Sequence, residues 1–145
     1  MLVGGTPQLV QLYQHQVQDC GLLPYFRFTG IRPPSDMPYF IELAHVLVSP
    51  RVSGTNTPLK IYSYLQSGKP IIATNLYTHT QVLSPDVAVL VAPESDALAQ
   101  GILSVLDNPP VAKSLGEQAQ HLFGKRYSFR TFVQKTDQAL QMALR

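Results

Sequence analysis

The 145-residue sequence is poor in cysteine, tryptophan and charge. The one thiol, Cys20, cannot form a disulfide within the chain or complete a cysteine metal or redox pair, so those classes are excluded, and we expect Cys20 in the core. Charged residues make up 14% of the chain, and the lysines and arginines are scattered, which argues against nucleic-acid binding. A long apolar run and a basic, apolar leader are also lacking, so we expect a cytoplasmic protein.

The histidines and acidic residues lack the spacing of a metal site or an acid/base pair. His15 and His121 lie on predicted helices without a second ligand at metal-binding spacing, and His45 precedes a buried strand. No serine is flanked as in a nucleophile elbow, and Gly4-Gly5 is not a dinucleotide fingerprint. We therefore expect no metal, no cofactor and no covalent nucleophile.

Short apolar segments alternate with helical segments along the chain. Thr6 followed by Pro7 is typical of a helix start, Ser35 is expected to cap another helix, and Gly21 and Gly68 are typical helix stops. The alternation predicts a single α/β domain over residues 1–145, with a Rossmann-like, doubly wound, mostly parallel sheet flanked by helices. The predicted strands are 2–4, 26–29, 46–50, 71–74 and 88–92.

The segment from residue 55 to 70, TNTPLKIYSYLQSGKP, begins like a phosphate-binding turn. Ligands of open parallel sheets lie beyond the carboxyl ends of the strands, where helix N-termini offer unpaired N–H groups. Gly54 lets the main chain approach a ligand, Thr57 is suited to cap the helix, and Pro58 stands where its missing amide costs little. The same residues are also ordinary cap and turn residues, so spacing alone leaves both interpretations open.

Two further segments are expected at the same edge of the sheet. Gly30 and Ile31 follow the predicted strand 26–29. His79 lies in TNLYTHTQVL, directly after the predicted strand 71–74. Its ring either contacts a ligand there or satisfies a main-chain group of the loop.

The ordered series of these segments resembles the C-terminal, donor-binding domain of group 1 glycosyltransferases, which have a GT-B fold. The resemblance covers nearly the whole chain and rests on LVGG, YFRFTGIRPPSDMPYFIELAHVLVSP, TPLKIYSYLQSGKPIIAT, LVAPESDALAQGILSVLDNP and YSFRTFVQKTDQALQMALR. It implies half of a GT-B arrangement that binds a nucleoside-diphosphate sugar and uses no metal. An acceptor, a sugar or a glycolipid, would bind a separate N-terminal domain, with transfer across the cleft.

The resemblance also implies which residues contact the donor. The amides at Pro58 and Leu59 would meet the diphosphate, and the base would lie near Gly30 and Ile31, whereas Lys60 is expected to be a surface or packing residue. The full set of donor-binding candidates is Gly30, Ile31, Gly54, Thr55, Asn56, Thr57, Pro58, Leu59, Ser63 and His79.

The sequence departs from the family pattern at two positions. Family members commonly carry two glutamates eight positions apart, the first near the transferred sugar and the second at the ribose hydroxyls. Here Thr55 and Ser63 occupy those positions. Ser63 can form one hydrogen bond with a ribose hydroxyl, but it cannot accept two as a carboxylate does. No catalytic residue is therefore assigned, and Thr55 only marks the place of the first glutamate.

The family domain also begins with a strand and a helix that this sequence does not match, and their loop carries a basic pair for the leaving diphosphate. We therefore expect these 145 residues alone to be inactive and the full-length protein to be a glycosyltransferase. Peripheral membrane association of the full-length protein and homo-oligomerisation, with a strand recruited from a neighbour, stay open. The alternatives are a GT-B-type nucleotide-sugar epimerase and an inactive Rossmann-like binding or scaffold domain.

Overall fold

The computed structural model describes residues 1–144. Contacts divide the chain into two compact units, Met1–Leu43 and the residues from Ala44 onward. No helix within 1–144 combines the length and the apolar character needed to cross a membrane.

The first unit is built from short helices. Helix α1 spans Pro7–Asp19, and the Thr6 side chain accepts a hydrogen bond from the Leu9 N–H, as the sequence predicts. Helix α2 spans Met37–Leu43 and follows a 3₁₀ turn at Pro34–Asp36, so the predicted cap at Ser35 is wrong. A second 3₁₀ turn spans Leu23–Tyr25.

The predicted strands 2–4 and 26–29 are reduced to two isolated bridges, Leu2 with Phe28 and Gly4 with Gly30. Gly4 and Gly5 have φ of 103° and 94°, which interrupts the extended backbone of the first segment. Helix α1 consequently has no sheet to cover within this unit and contains no buried residue. Cys20 is exposed, so its predicted place in the core is wrong.

The second unit contains a three-stranded parallel sheet in the order β1-β2-β3. Its strands are β1, Leu47–Ser49; β2, Ile71–Thr74; and β3, Val89–Val91. All four residues of β2 are buried, because helices cover both faces of the sheet. The predicted strand 71–74 has the observed bounds, and the predicted strands 46–50 and 88–92 are confirmed but one residue shorter at each end.

The helices of the second unit are α3, Lys60–Ser67; α4, Tyr77–Thr80; α5, Ser95–Leu106; α6, Pro109–Arg126; and α7, Phe129–Ala143. One core joins Ile61 and Leu65 of α3 to Ile71 and Ala73 of β2. Since side chains alternate along a strand, Ile72 faces the other way and packs in a second core with residues of α5 and α6. Helices on both faces confirm the doubly wound α/β class.

Helix α6 crosses the C-terminal end of α3 at two glycines. Gly68 ends α3 with φ of 71°, as predicted. A Cβ atom on Gly116 would overlap the Gly68 carbonyl group. The two backbones therefore touch directly and leave no room for a side chain.

Candidate functional site

The loop between β1 and α3, residues 50–59, lies at the carboxyl end of the sheet. Gly54 has φ of 123°, a conformation that residues with a side chain rarely adopt. A Cβ atom at this position would stand 2.9 Å from Nη1 of Arg51. The glycine is thus required for the close approach of Arg51 to the loop.

Helix α3 begins at Lys60, two residues later than the sequence predicts. Leu59 is its N-cap, and no side chain caps the helix, so the predicted cap at Thr57 is wrong. The first turn is tightened by bonds from the Ile61 N–H to the Pro58 carbonyl, 3.0 Å, and from the Tyr62 N–H to the Leu59 carbonyl, 3.2 Å. This turn leaves the N–H groups of Leu59 and Lys60 without an acceptor within the described chain.

Pro58 cannot donate a hydrogen bond from its main chain, because proline has no N–H. The contact that the resemblance implies for its amide is therefore excluded on chemical grounds. Pro58 itself is buried, whereas Leu59 is 83% exposed. At the helix start, the N–H groups of Leu59 and Lys60 are the ones that can donate a hydrogen bond to a ligand.

The carbonyl groups of the loop are held by the protein. Gln81 Nε2 donates to the Thr55 carbonyl at 2.7 Å, and Thr78 Oγ1 donates to the Asn56 carbonyl at 2.6 Å. All peptide bonds are trans, so the N–H of each peptide points away from its carbonyl. The N–H groups of Asn56 and Thr57 are therefore directed away from these partners, and within residues 1–144 neither has an acceptor.

His79 lies beneath this loop with 0% of its surface exposed. Its Nδ1 lies 2.9 Å from the Thr74 carbonyl and its Nε2 lies 2.9 Å from Ser49 Oγ. A carbonyl only accepts, so Nδ1 carries the proton and the Ser49 hydroxyl donates to Nε2. Of the two roles that the sequence left open, the structure places the ring against a main-chain group, and the ring has no surface for a ligand.

Burial lowers the pKa of His79, and the charges of Lys60 and Arg51 act in the same direction, against the opposing effect of the Thr74 hydrogen bond. The imidazole is therefore neutral at neutral pH, in agreement with its hydrogen-bond pattern. Neutral His79 does not add to the positive charge of the site.

Two cations stand at the start of α3 without neutralising partners. Partial burial lowers the pKa of the Lys60 ammonium, and the nearby Arg51 charge lowers it further. Within the described chain neither side chain forms an ion pair with a carboxylate. The Lys60 Nζ lies 5.8 Å from the centre of the Tyr64 ring. Positive charge without a carboxylate partner and N–H groups without an acceptor both favour an anion.

The remaining candidates fall into two groups. Thr55 and Ser63 are exposed, and neither supplies a carboxylate. Gly30 has φ of 64° and Ile31 is 73% exposed, and both belong to the first unit.

A cavity of about 130 Å³ at the carboxyl ends of the strands is lined by Pro50, Val52, Thr74, Pro93, Glu94, Ser95 and Leu98. It is smaller than the roughly 300–1,000 Å³ typical of ligand pockets.

Sequence reasoning missed the residues that hold the loop: Arg51, Thr74, Thr78 and Gln81. The available signal was a run of polar residues immediately after β2, in the segment TNLYTHTQ. Polar side chains that follow a buried strand of a parallel sheet must lie at its ligand edge. No three His, Cys, Asp or Glu side chains among residues 1–144 are grouped closely enough to hold a metal ion.

Comparison with known proteins gives a consistent picture. The family model for glycosyl transferases group 1 matches residues 1–122. The Bacillus subtilis (strain 168) protein TuaH, whose name assigns it to teichuronic acid biosynthesis as a glycosyltransferase, is 33% identical over 69 residues. That match covers 45% of this chain and 17% of TuaH.

Solved structures of larger proteins share the fold. Sucrose-phosphate synthase from Thermosynechococcus elongatus has a TM-score of 0.85 at 22% identity, covering 99% of this chain and 38% of the other. HepE from Anabaena, solved in complex with UDP, has a TM-score of 0.87 at 22% identity, covering 97% and 40%. The C-terminal domain of LpcC from Francisella tularensis, a glycosyl transferase group 1 family protein, has a TM-score of 0.73 at 16% identity, covering 85% and 64%. The chain thus spans less than half of the first two proteins.

Proposed function

Because the chain belongs to the group 1 glycosyltransferase family, we propose that it binds the diphosphate of a nucleoside-diphosphate sugar at the loop between β1 and α3. One observation carries the proposal. Four main-chain N–H groups, those of Asn56, Thr57, Leu59 and Lys60, have no acceptor within the described chain, and the Arg51 and Lys60 side chains form no ion pair with a carboxylate there.

The chemistry of a diphosphate matches this arrangement. Phosphate oxygens accept several hydrogen bonds at once, and charge-assisted bonds contribute about 1.5–3 kcal/mol each. The N-terminal end of the α3 dipole adds a favourable field. Arg51 and Lys60 supply positive charge, and Gly54 permits the loop shape that brings Arg51 into place.

The other donor contacts follow from the family resemblance. Ser63 lies three residues after Lys60, so both side chains are on one face of α3, and Ser63 is proposed to bind a ribose hydroxyl. HepE was solved with UDP and with UDP-glucose, which makes uridine diphosphate the first ligand to test.

Sugar transfer by the full-length protein is part of the same proposal. The donor would stay bound at this loop while an acceptor, a sugar or a glycolipid, is presented by another domain. Without a carboxylate at Thr55, this chain would promote transfer by positioning the donor and by stabilising the departing diphosphate through N–H groups and cations. No metal or other cofactor enters the proposal.

A second candidate, an inert binding domain, is favoured by one observation. Neither position of the family's glutamate pair carries a carboxylate, since Thr55 and Ser63 stand there. Such a domain would bind the nucleotide without turning it over. The full-length protein is assayed for release of nucleoside diphosphate in the presence of donor and acceptor. Release supports the glycosyltransferase, and binding without release supports the inert binding domain.

Binding itself is tested by protein NMR with UDP, GDP and uridine. We expect both diphosphates to shift the amide signals of Asn56, Thr57, Leu59 and Lys60, and uridine to leave them in place. Lys60→Gln should weaken UDP binding, whereas Lys113→Gln, a matched change on the exposed face of α6, should not. A folded spectrum in which UDP moves none of these amides would refute the proposal.

A further inference from the structure

His79 is the one histidine among residues 1–144 that is fully buried, and the proposed ligand contacts do not use it. It touches β1 through Ser49 and β2 through Thr74, and it lies on α4. Burying an imidazole costs free energy unless its nitrogens are hydrogen-bonded. Both ring nitrogens are hydrogen-bonded, and the series of hydrogen bonds that passes through the ring ends at Arg51 in the loop.

The direction follows from which atoms can donate. Thr74 Oγ1 lies 2.6 Å from the Arg51 carbonyl, which only accepts, so the hydroxyl proton of Thr74 points there. The hydroxyl oxygen then accepts from His79 Nδ1, 3.1 Å away, which also donates to the Thr74 carbonyl. The protons therefore run in one order, from Ser49 to His79, from His79 to Thr74, and from Thr74 to Arg51.

The series holds the carbonyl of Arg51, and separate hydrogen bonds hold its guanidinium. Its carbonyl receives the Thr74 hydroxyl, and its guanidinium Nη1 donates to the Asn56 carbonyl and to Thr78 Oγ1, each at 3.3 Å. The Asn56 carbonyl in turn sets the direction of the Thr57 N–H, because both belong to one planar peptide. The direction of the Thr57 N–H thus depends partly on the Thr74 hydroxyl, which acts through Arg51, and partly on Thr78, which donates directly to the Asn56 carbonyl.

We propose that His79 is a positioning residue for the loop of residues 50–59, which it influences through Thr74 and Arg51 to fix the direction of the Thr57 N–H. The inference rests on the proposed function, since it assigns the loop to a diphosphate. It requires the neutral ring with the proton on Nδ1. A second proton on Nε2 would force the Ser49 hydroxyl to turn, and it would give the ring a positive charge that Arg51 and Lys60 repel. The groups of β1 and β2 that contact the ring, Ser49 and Thr74, do not titrate.

Two substitutions of the ring separate its nitrogens. The amide of His79→Asn stands close to the place of Nδ1 and keeps a donor for Thr74, whereas the amide of His79→Gln reaches the place of Nε2 and keeps only the Ser49 contact. Thr74→Val removes the hydroxyl with little change of volume, and Thr74→Ser restores it. Ser49→Ala removes the contact on the opposite side of the ring and is the matched control.

The Kd of UDP is measured for each variant, with urea unfolding as the check on folding. We expect His79→Gln and Thr74→Val to weaken UDP binding about tenfold. His79→Asn, Thr74→Ser and Ser49→Ala should retain the Kd of the unmodified chain. Equal binding of UDP by all folded variants would overturn the inference. A loss of UDP binding that only parallels the loss of unfolding free energy would overturn it as well. If a substitution of His79 prevents folding, the Thr74→Val and Thr74→Ser pair decides, and if Thr74→Val prevents folding, the His79→Gln and His79→Asn pair decides.

Failure of the proposed function gives a different result. The unmodified chain would then not bind UDP, and the ligand-free amide spectra would decide on the positioning role. His79→Gln and Thr74→Val should shift the amide signals of Asn56 and Thr57, while His79→Asn and Ser49→Ala should leave them in place. Unchanged loop amides in all variants would exclude His79 as the group that positions the loop.

Discussion

Gly54→Ala is the sharpest single test of the loop between β1 and α3. The new Cβ would stand 2.9 Å from Nη1 of Arg51 and 3.7 Å from Thr78 Oγ1, at a φ of 123°. The arginine side chain is flexible and would move, but moving it breaks its bonds to the Asn56 carbonyl and to Thr78. The loop would lose a bond that orients Asn56 and gain backbone strain.

The two costs are of comparable size. Backbone strain at a position that disfavours side chains costs about 1–3 kcal/mol. Hydrogen bonds to a charged group contribute about 1.5–3 kcal/mol when buried, and those of the exposed Arg51 are long at 3.3 Å, so they count toward the low end. We expect Gly54→Ala to lower the free energy of unfolding by about 2–4 kcal/mol in total.

Urea unfolding measures the free energy of unfolding, and titration with UDP measures ligand binding. The matched control is Gly124→Ala in α6, where a Cβ meets no atom within 4 Å and φ is not positive. That change should be neutral or stabilise the protein by up to about 1 kcal/mol, because alanine favours the helix. If Gly54→Ala unfolds like the unmodified chain and binds UDP equally well, the link between Arg51 and the loop shape is refuted.

Three further predictions concern the scaffold. Gly116→Ala should destabilise the chain by about 1–3 kcal/mol, because its Cβ meets the Gly68 backbone, and an unchanged thermal midpoint would contradict that contact. Leu65→Ala should cost about 2–5 kcal/mol in urea unfolding, since Leu65 is fully buried in the core under α3. Burial lowers the pKa of His79 below the 6.5 of the unfolded chain, so its contribution to stability is complete above 6.5 and is lost as the pH falls below it. Urea unfolding on both sides of that pH should show the loss, and His79→Asn should remove it.

The sequence predicted the elements whose structure depends on local pattern and burial. Ile71–Thr74 is four apolar or small residues between Pro70 and a polar loop, and it forms β2 with the predicted bounds. Segment 2–4 has an equally apolar start but two glycines with positive φ, and it finds only a single bridge at each end. A strand needs a partner over several residues, and the pattern of one segment does not supply that information.

The sequence predicted the loop between β1 and α3 but not the hydrogen bonds that hold it. The start of α3 differs from the prediction because Thr78 and Gln81, 22 and 26 residues away from their partners, bind the carbonyls of Asn56 and Thr55. Such distant bonds outweigh the local preference of Thr57 for a cap. The burial of His79 was also beyond reach, since a polar residue after a strand is equally suited to face solvent or the loop.

The contact of α6 with the end of α3 limits how the site can respond to a ligand. Helix α3 has eight residues and is about 12 Å long, with the loop of residues 50–59 at one end and the Gly68–Gly116 crossing at the other. Two backbones in direct contact cannot slide past each other without separating. Any movement of α3 on ligand binding must therefore be a swing about its locked end, largest at the loop and smallest at Gly68.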